Sequence, residues 1–218
     1  VDAEGVNKYE LLSHTSRREK LINNIIANAI KYNLDGINID FEKITKDAGP
    51  HFVQFIRELS VKCRSNGIIL SIDNYAPGYT GYYNRKEQGI VADYVICMAY
   101  DEHTSGSEVS GSVASYDFVK NAIENTLKEV PAEKTIIYTR RWRETVDEDG
   151  TLKITSEAYG MQQAINVLTD NRVEPVWDDV TKQYYGEYES GGSVYKIWLE
   201  EDESIEAKME LINEANVA

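Results

Sequence analysis

Two cysteines among 218 residues leave little room for a disulfide framework, and their surroundings leave no room for a thiolate metal site. Cys63 falls in a helical pattern and Cys97 inside the strand-like run YVICMAY, so both read as small buried residues. Basic residues are also scarce: 23 Lys and Arg face 37 Asp and Glu, a formal net charge of -14. That balance argues against nucleic acid, whose binding rests on Lys and Arg neutralising phosphates, and against an anionic membrane surface. No run approaches the roughly 20 apolar residues that a membrane-spanning helix requires. The opening VDAEGVNKYE is polar and has no apolar stretch of the signal-peptide kind, which leaves localisation open. No Gly-rich phosphate loop follows any strand, which counts against a phosphate-binding α/β enzyme. No low-complexity linker or tandem repeat divides the chain, so residues 1–218 are expected to form a single domain.

What is present is an alternation of strand and helix patterns. Leu21, Ile22, Ile25, Ile26, Ala29 and Ile30 make a helical stripe for which Ser16 is a capping candidate. A strand follows over residues 34–41, then a helix over about 50–65, with short strands at 67–73 and 92–101. Phe118, Ala122, Ile123 and Leu127 stripe a helix near 116–129, and KTIIYT (134–139) reads as a fourth strand. A helix near 156–169 precedes a β-hairpin within 172–201, where aromatics alternate on either side of SGGS. A last helix, about 204–215, carries Ile205, Met209 and Ile212. This order predicts parallel pairing and an α/β fold.

Polar residues gather at the predicted strand ends. In LDGINIDFE (34–42), Asn38, Asp40 and Glu42 alternate with Ile37, Ile39 and Phe41. Side chains two apart on a strand share a face, about 6.5–7 Å from one another, so two carboxyls and an amide would converge on one substrate. A solvent-washed face would give the same alternation on an antiparallel sheet. Asp73-Asn74-Tyr75, Tyr100-Asp101 and Tyr138-Thr139-Arg140 close the other strands, and C-terminal strand ends are where α/β folds place their sites.

Asp35-Gly36-Ile37-Asn38-Ile39-Asp40-Phe41-Glu42 resembles the D-G-x-D-x-D-x-E signature of glycoside hydrolase family 18, enzymes that cleave chitin and related N-acetylglucosamine polymers. Met98-Ala99-Tyr100-Asp101 is similar to the M-x-Y-D segment ending the sixth barrel strand of that family. EPVWDD, QYYGEY and VYKIWLEEDESIEAKMELI look like bacterial members linked to cell walls and spores. The resemblance implies a TIM (β/α)8 barrel, here partial, with strands four to seven and a β-hairpin insertion at 172–201. It departs from the family pattern at Asn38, which replaces the middle Asp, and before Tyr138, where a G-x-P-x-Y-like extension is missing. Such barrels run to about 250 residues, so strands one to three and eight are expected to be missing or supplied by a second copy, as a homodimer closing the open edges.

The resemblance also implies the chemistry, which uses no cofactor and no metal. The substrate's own 2-acetamido oxygen attacks the anomeric carbon, so the protein supplies no nucleophile. Glu42 is then the acid and later the base, Asp40 orients the acetamido group, and Tyr100 donates to its oxygen as charge builds. Asp101 would hold a sugar hydroxyl, with Asp35 and Asn38 supporting from below. Met98, Asn74, Arg140 and Trp177 are further candidate substrate contacts. Trp142, Trp177 and Trp198 either stack on sugar rings or, for the last two, pack a hairpin core. Asp35 before Gly36 reads equally as a turn residue, Asn38 as a buried amide, and His103 as a loop histidine rather than a metal ligand. The expected partner is an N-acetylglucosamine-containing polysaccharide, peptidoglycan or chitin-like, met outside the cytoplasm in a cell wall or spore. A carbohydrate-binding relative that keeps the cleft without turnover is the alternative.

Overall fold

The chain alternates apolar helices with short parallel strands, and the computed structural model describes residues 5–78, 80–104, 107–132, 135–137, 145–146, 152–153, 157, 159 and 161–217. Two compact units emerge, Val1–Met98 with Glu124–Ile137 and Asn216–Ala218, and Ala99–Ile123 with Tyr138–Ala215.

In the first unit, α1 (Lys8–Leu12) starts at Asn7, whose side chain accepts the Glu10 amide. α2 (Thr15–Lys31) begins one residue before the expected cap: His14 stands at the N-cap and makes no side-chain bond there. The N-terminal turn is tied instead by Arg18, whose buried guanidinium donates to the Leu12 carbonyl and pairs with Glu58. Strands β1 (Gly36–Ile39), β2 (Ile69–Tyr75), β3 (Tyr94–Met98) and β4 (Thr135–Ile137) form one parallel sheet in that order. α3 (Gly49–Ser65) links β1 to β2 and α4 (Arg85–Val91) links β2 to β3, while α5 (Tyr116–Leu127), which precedes β4, is assigned to the second unit up to Ile123.

Right-handed strand–helix–strand crossovers put helices on a sheet face, and the buried residues show which one. Ile37 and Ile39 of β1 and Leu70 and Ile72 of β2 pack with Phe52, Phe55, Ile56 and Leu59 of α3 and with Ile22, Ile25 and Ile26 of α2. Phe41 stacks on Phe55 with 5.5 Å between ring centroids and 5° between planes. The alternate residues Asn38, Ser71, Asp73 and Tyr75 are half-buried on the opposite face. Polar alternation within this parallel sheet therefore separates a helix-covered face from a half-buried polar one.

The second unit contains β5 (Thr145–Val146) paired with β6 (Leu152–Lys153), α6 (Met161–Asp170), an antiparallel sheet of β7 (Val176–Asp178), β8 (Gln183–Ser190) and β9 (Ser193–Leu199), and α7 (Asp202–Ala215). The expected hairpin is present and gains β7 as a third strand. Gly191 and Gly192, with φ of 58° and 76°, supply the two left-handed residues that a tight hairpin turn demands. Ile197 and Leu199 close a small core with Ala164 and Leu168 of α6.

On α7, Ile205 and Met209 are half exposed, and Ser204, Lys208 and Leu211 face inward instead. The cause is Glu200, buried at the end of β9, which needs donors more than the sheet needs apolar cover. Ser204 Oγ, Gln183 Nε2 and Lys208 Nζ all donate to its carboxylate. On α5, Val119 and Thr126 join Ala122 and Ile123 in full burial, while Phe118 and Leu127 are half-buried.

Candidate active site at the strand ends

β1 ends at Ile39, and the chain then turns sharply through Phe41, Glu42, Lys43 and Ile44. Phe41 and Ile44 are buried; Glu42 between them is half-buried, and Lys43 stands exposed with φ of 52°. A side chain at positive φ costs about 1 kcal/mol, so this turn is held by something outside itself. The Tyr83 hydroxyl accepts the Ile44 amide and donates to the Phe41 carbonyl, each at 3.1 Å.

The register Asn38↔Ser71 and Ile39↔Ile72, continued one step, sets Asp40 beside Asp73. Asn38 Nδ2 donates to both Ser71 Oγ and Asp73 Oδ1 at 3.0 Å. Burial pushes the Asp73 carboxyl above its ordinary range; the Asn38 bond opposes that rise and the Asp40 charge adds to it. Tyr75 is pushed up to about 12 by burial first and then by the Glu42 carboxylate. Asp40 Oδ1 is buried and receives no hydrogen bond from the described residues. A buried acceptor without a donor costs about 1–3 kcal/mol, which a bound N–H group would offset. Met98, buried opposite Tyr75 in the register, completes this face with an apolar surface.

Asp40, Glu42, Asn38 and Met98 are thus brought to one face of the first unit. Asn74 is not: its amide is buried on the opposite, helix-covered face and exchanges hydrogen bonds with the Gln88 amide of α4. Strand alternation is the reason, since Asn74 keeps step with Leu70 and Ile72. Asp35 is exposed at the start of β1, where its carbonyl takes the Ile69 amide. Asp73 and Tyr75, absent from the expected site residues, hold the places that parity denies Asn74. Tyr83 was signalled by nothing in the sequence beyond its being an aromatic in a loop.

In the second unit, Tyr100 is half-buried and Asp101 is exposed with φ of 64°. The next residue anchors that strained position: Glu102 bonds the Ser115 amide and hydroxyl through its carboxylate, and its amide reaches the Val113 carbonyl. His103 Nδ1 meets the Ser112 carbonyl at 2.8 Å, a loop contact. Trp177 lies edge-on to Tyr184 at 5.2 Å and donates Nε1 to Asp179, while Trp198 meets Tyr185 at 5.0 Å. Arg140 and Trp142 lie outside the described residues. Cys63 and Cys97 are buried and unpaired, and burial raises the Cys63 thiol to about 11. Among the described residues no helix is long and apolar enough to cross a membrane.

Two carboxyls, Asp40 and Glu42, thus stand past the end of a parallel strand, and one of them has a buried oxygen with no donor among the described residues. The sequence model for glycosyl hydrolases family 18 matches residues 3–218. The chain belongs to that family. Its fold is accordingly an α/β fold of the TIM-barrel kind. It is 26% identical over 220 residues to the cortical fragment-lytic enzyme of Bacillus subtilis, an alignment covering 95% of this chain and 50% of that protein. The chain spans about half the length of the curated relatives it matches first. Among solved structures it superposes on the spore cortex-lytic enzyme SleL of Bacillus cereus with a TM-score of 0.86 at 21% identity, over 99% of this chain and 52% of that one. A chitinase from Chromobacterium violaceum gives 0.85 at 21% identity, over 96% and 67%.

Proposed function

We propose that this chain carries the catalytic machinery of a glycoside hydrolase that cleaves β-1,4 bonds after N-acetylglucosamine in peptidoglycan or a chitin-like polymer. The observation that carries this reading is the pairing of Asp40, whose buried oxygen awaits a donor, with Glu42 two residues on. The 2-acetamido oxygen attacks the anomeric carbon while Glu42 delivers a proton to the leaving oxygen; the carboxylate so formed then takes a proton from the incoming water. Asp40 accepts the acetamido N–H and holds the group in line. Asn38 bonds Asp73 of the neighbouring strand, whose carboxyl feels the Asp40 charge, and the Tyr75 hydroxyl lies within the field of the Glu42 carboxylate. On motif alone, Tyr100 donates to the acetamido oxygen, and Asp101 and Arg140 contact the sugar.

We read β1 to β4 as strands four to seven of the barrel, and residues 1–218 as one catalytic domain with 172–201 inserted in it. The spore cortex-lytic names among its relatives favour a peptidoglycan substrate met at the spore or cell wall. The test is incubation with muropeptides and, separately, chitooligosaccharides, with product anomers followed by NMR. Released product that first appears as the β-anomer supports the reading. An α-anomer first, or binding without any product, contradicts it, and the second result would favour the carbohydrate-binding alternative.

A further inference from the structure

The turn that bears Glu42 is anchored by a residue that never reaches the cleft. Tyr83 sits in a one-turn 3-10 segment, Gly81–Tyr83, after β2, and is 1% exposed. Its ring is wedged edge-on against Phe52 at 5.4 Å and Tyr75 at 6.2 Å. The hydroxyl spends both hydrogen-bonding roles on backbone flanking the acid, donating to Phe41 and accepting from Ile44. Phe41 is pinned in turn by stacking on Phe55, so one side of the turn is fixed by rings and both sides by this hydroxyl. Lys43, in the left-handed region between the two anchors, shows that the path is imposed rather than relaxed.

We infer that Tyr83 is a positioning residue for the general acid, holding the 41–44 turn so that Glu42 meets the leaving oxygen. The inference rests on the assignment of Glu42 as the acid and goes beyond it by naming what aims it. Proton delivery demands heavy-atom distances near 3 Å, and a displacement of about 1 Å can cost on the order of 100-fold. A phenylalanine in its place keeps the ring packing and loses only the two backbone bonds.

The experiment compares Tyr83→Phe with the unaltered full chain on two aryl N-acetylglucosaminides. A 4-methylumbelliferyl leaving group needs protonation, whereas a 2,4-dinitrophenyl group departs without it, and kcat/KM reports the first irreversible step alone. The expected result is a loss of about 10-fold or more on the first glycoside and less than about twofold on the second. Equal losses on both, after correction for folded fraction, would mean a merely structural role and overturn the inference. Glu42→Gln serves as the reference. If it shows no dependence on leaving group, the acid assignment itself fails; if it shows one and Tyr83→Phe does not, only the positioning role fails. Hydrogen exchange at the Ile44 amide provides a readout independent of turnover and of the variant's folding. The amide should be protected in the unaltered chain, and free exchange there would overturn the clamp.

Discussion

Replacing Asn38 by Asp restores the acid that the family signature carries at this position, and the structure says that it should harm this protein. Asn38 Nδ2 donates to Ser71 Oγ and to Asp73 Oδ1, both at 3.0 Å. The substitution removes both donors and brings a carboxylate against a carboxylate. The Ser71 hydroxyl can turn to donate to the new carboxylate, so the net loss is the bond to the charged acceptor, and Asn38→Asp should cost about 1.5–3 kcal/mol at pH 7. The whole stability of a domain is only about 5–15 kcal/mol. The loss must depend on pH. Asp73 already sits above its ordinary range because of burial, and a second carboxylate in place of the opposing amide drives it further up. A carboxyl whose folded pKa lies above its unfolded one favours the fold at low pH, and that contribution is lost as pH rises through the folded value. Near pH 4 one proton shared between residues 38 and 73 restores a hydrogen bond, and most of the penalty should vanish. The compensating pair Asn38→Asp with Asp73→Asn moves the amide to the other strand and should recover at least about 1 kcal/mol of the loss at pH 7. Urea unfolding followed by far-UV circular dichroism at the two pH values measures all four proteins. Equal destabilisation at both pH values, or two changes that merely add, would refute the reasoning.

Other perturbations follow from the same contacts. Lys208→Ala leaves the Glu200 carboxylate buried without its cation, and should cost about 3–5 kcal/mol in denaturant unfolding, whereas Glu200→Gln combined with Lys208→Met should cost far less. Gly111→Ala would drive a methyl group into the His103 imidazole and should lower stability by about 1–3 kcal/mol, read as a fall in Tm. Asp73→Asn alone keeps an acceptor for Asn38 and removes a buried charge, so Tm should rise at pH 7 and change little near pH 3.

The fold was largely legible because burial enforces period. Ile37, Ile39, Leu70 and Ile72 mark one face, so the strands, their parallel order and the polar face opposite follow from spacing alone. The same rule turns Asn74 away from that polar face and brings in Asp73 and Tyr75. Asp40 and Glu42 stand out in the sequence because two carboxyls at a strand end have few structural uses. Tyr83 was not, because its contribution is a hydroxyl bonded to backbone about 40 residues away, which leaves no pattern in the sequence. The inward side of α7 is not legible for a related reason: buried Glu200 recruits Lys208 and Ser204, and an apolar stripe cannot reveal a polar network. Asn38, where the family pattern has an acid, faces an acid supplied by β2, a pairing that spacing alone does not disclose.

The most direct measurement of the central claim is Glu42→Gln, tested for hydrolysis of muropeptides and chitooligosaccharides and, by calorimetry, for binding of the same sugars. The expected result is a fall in kcat of at least about 100-fold with a Kd within about threefold of the unaltered chain's. Turnover retained by the glutamine variant would contradict it.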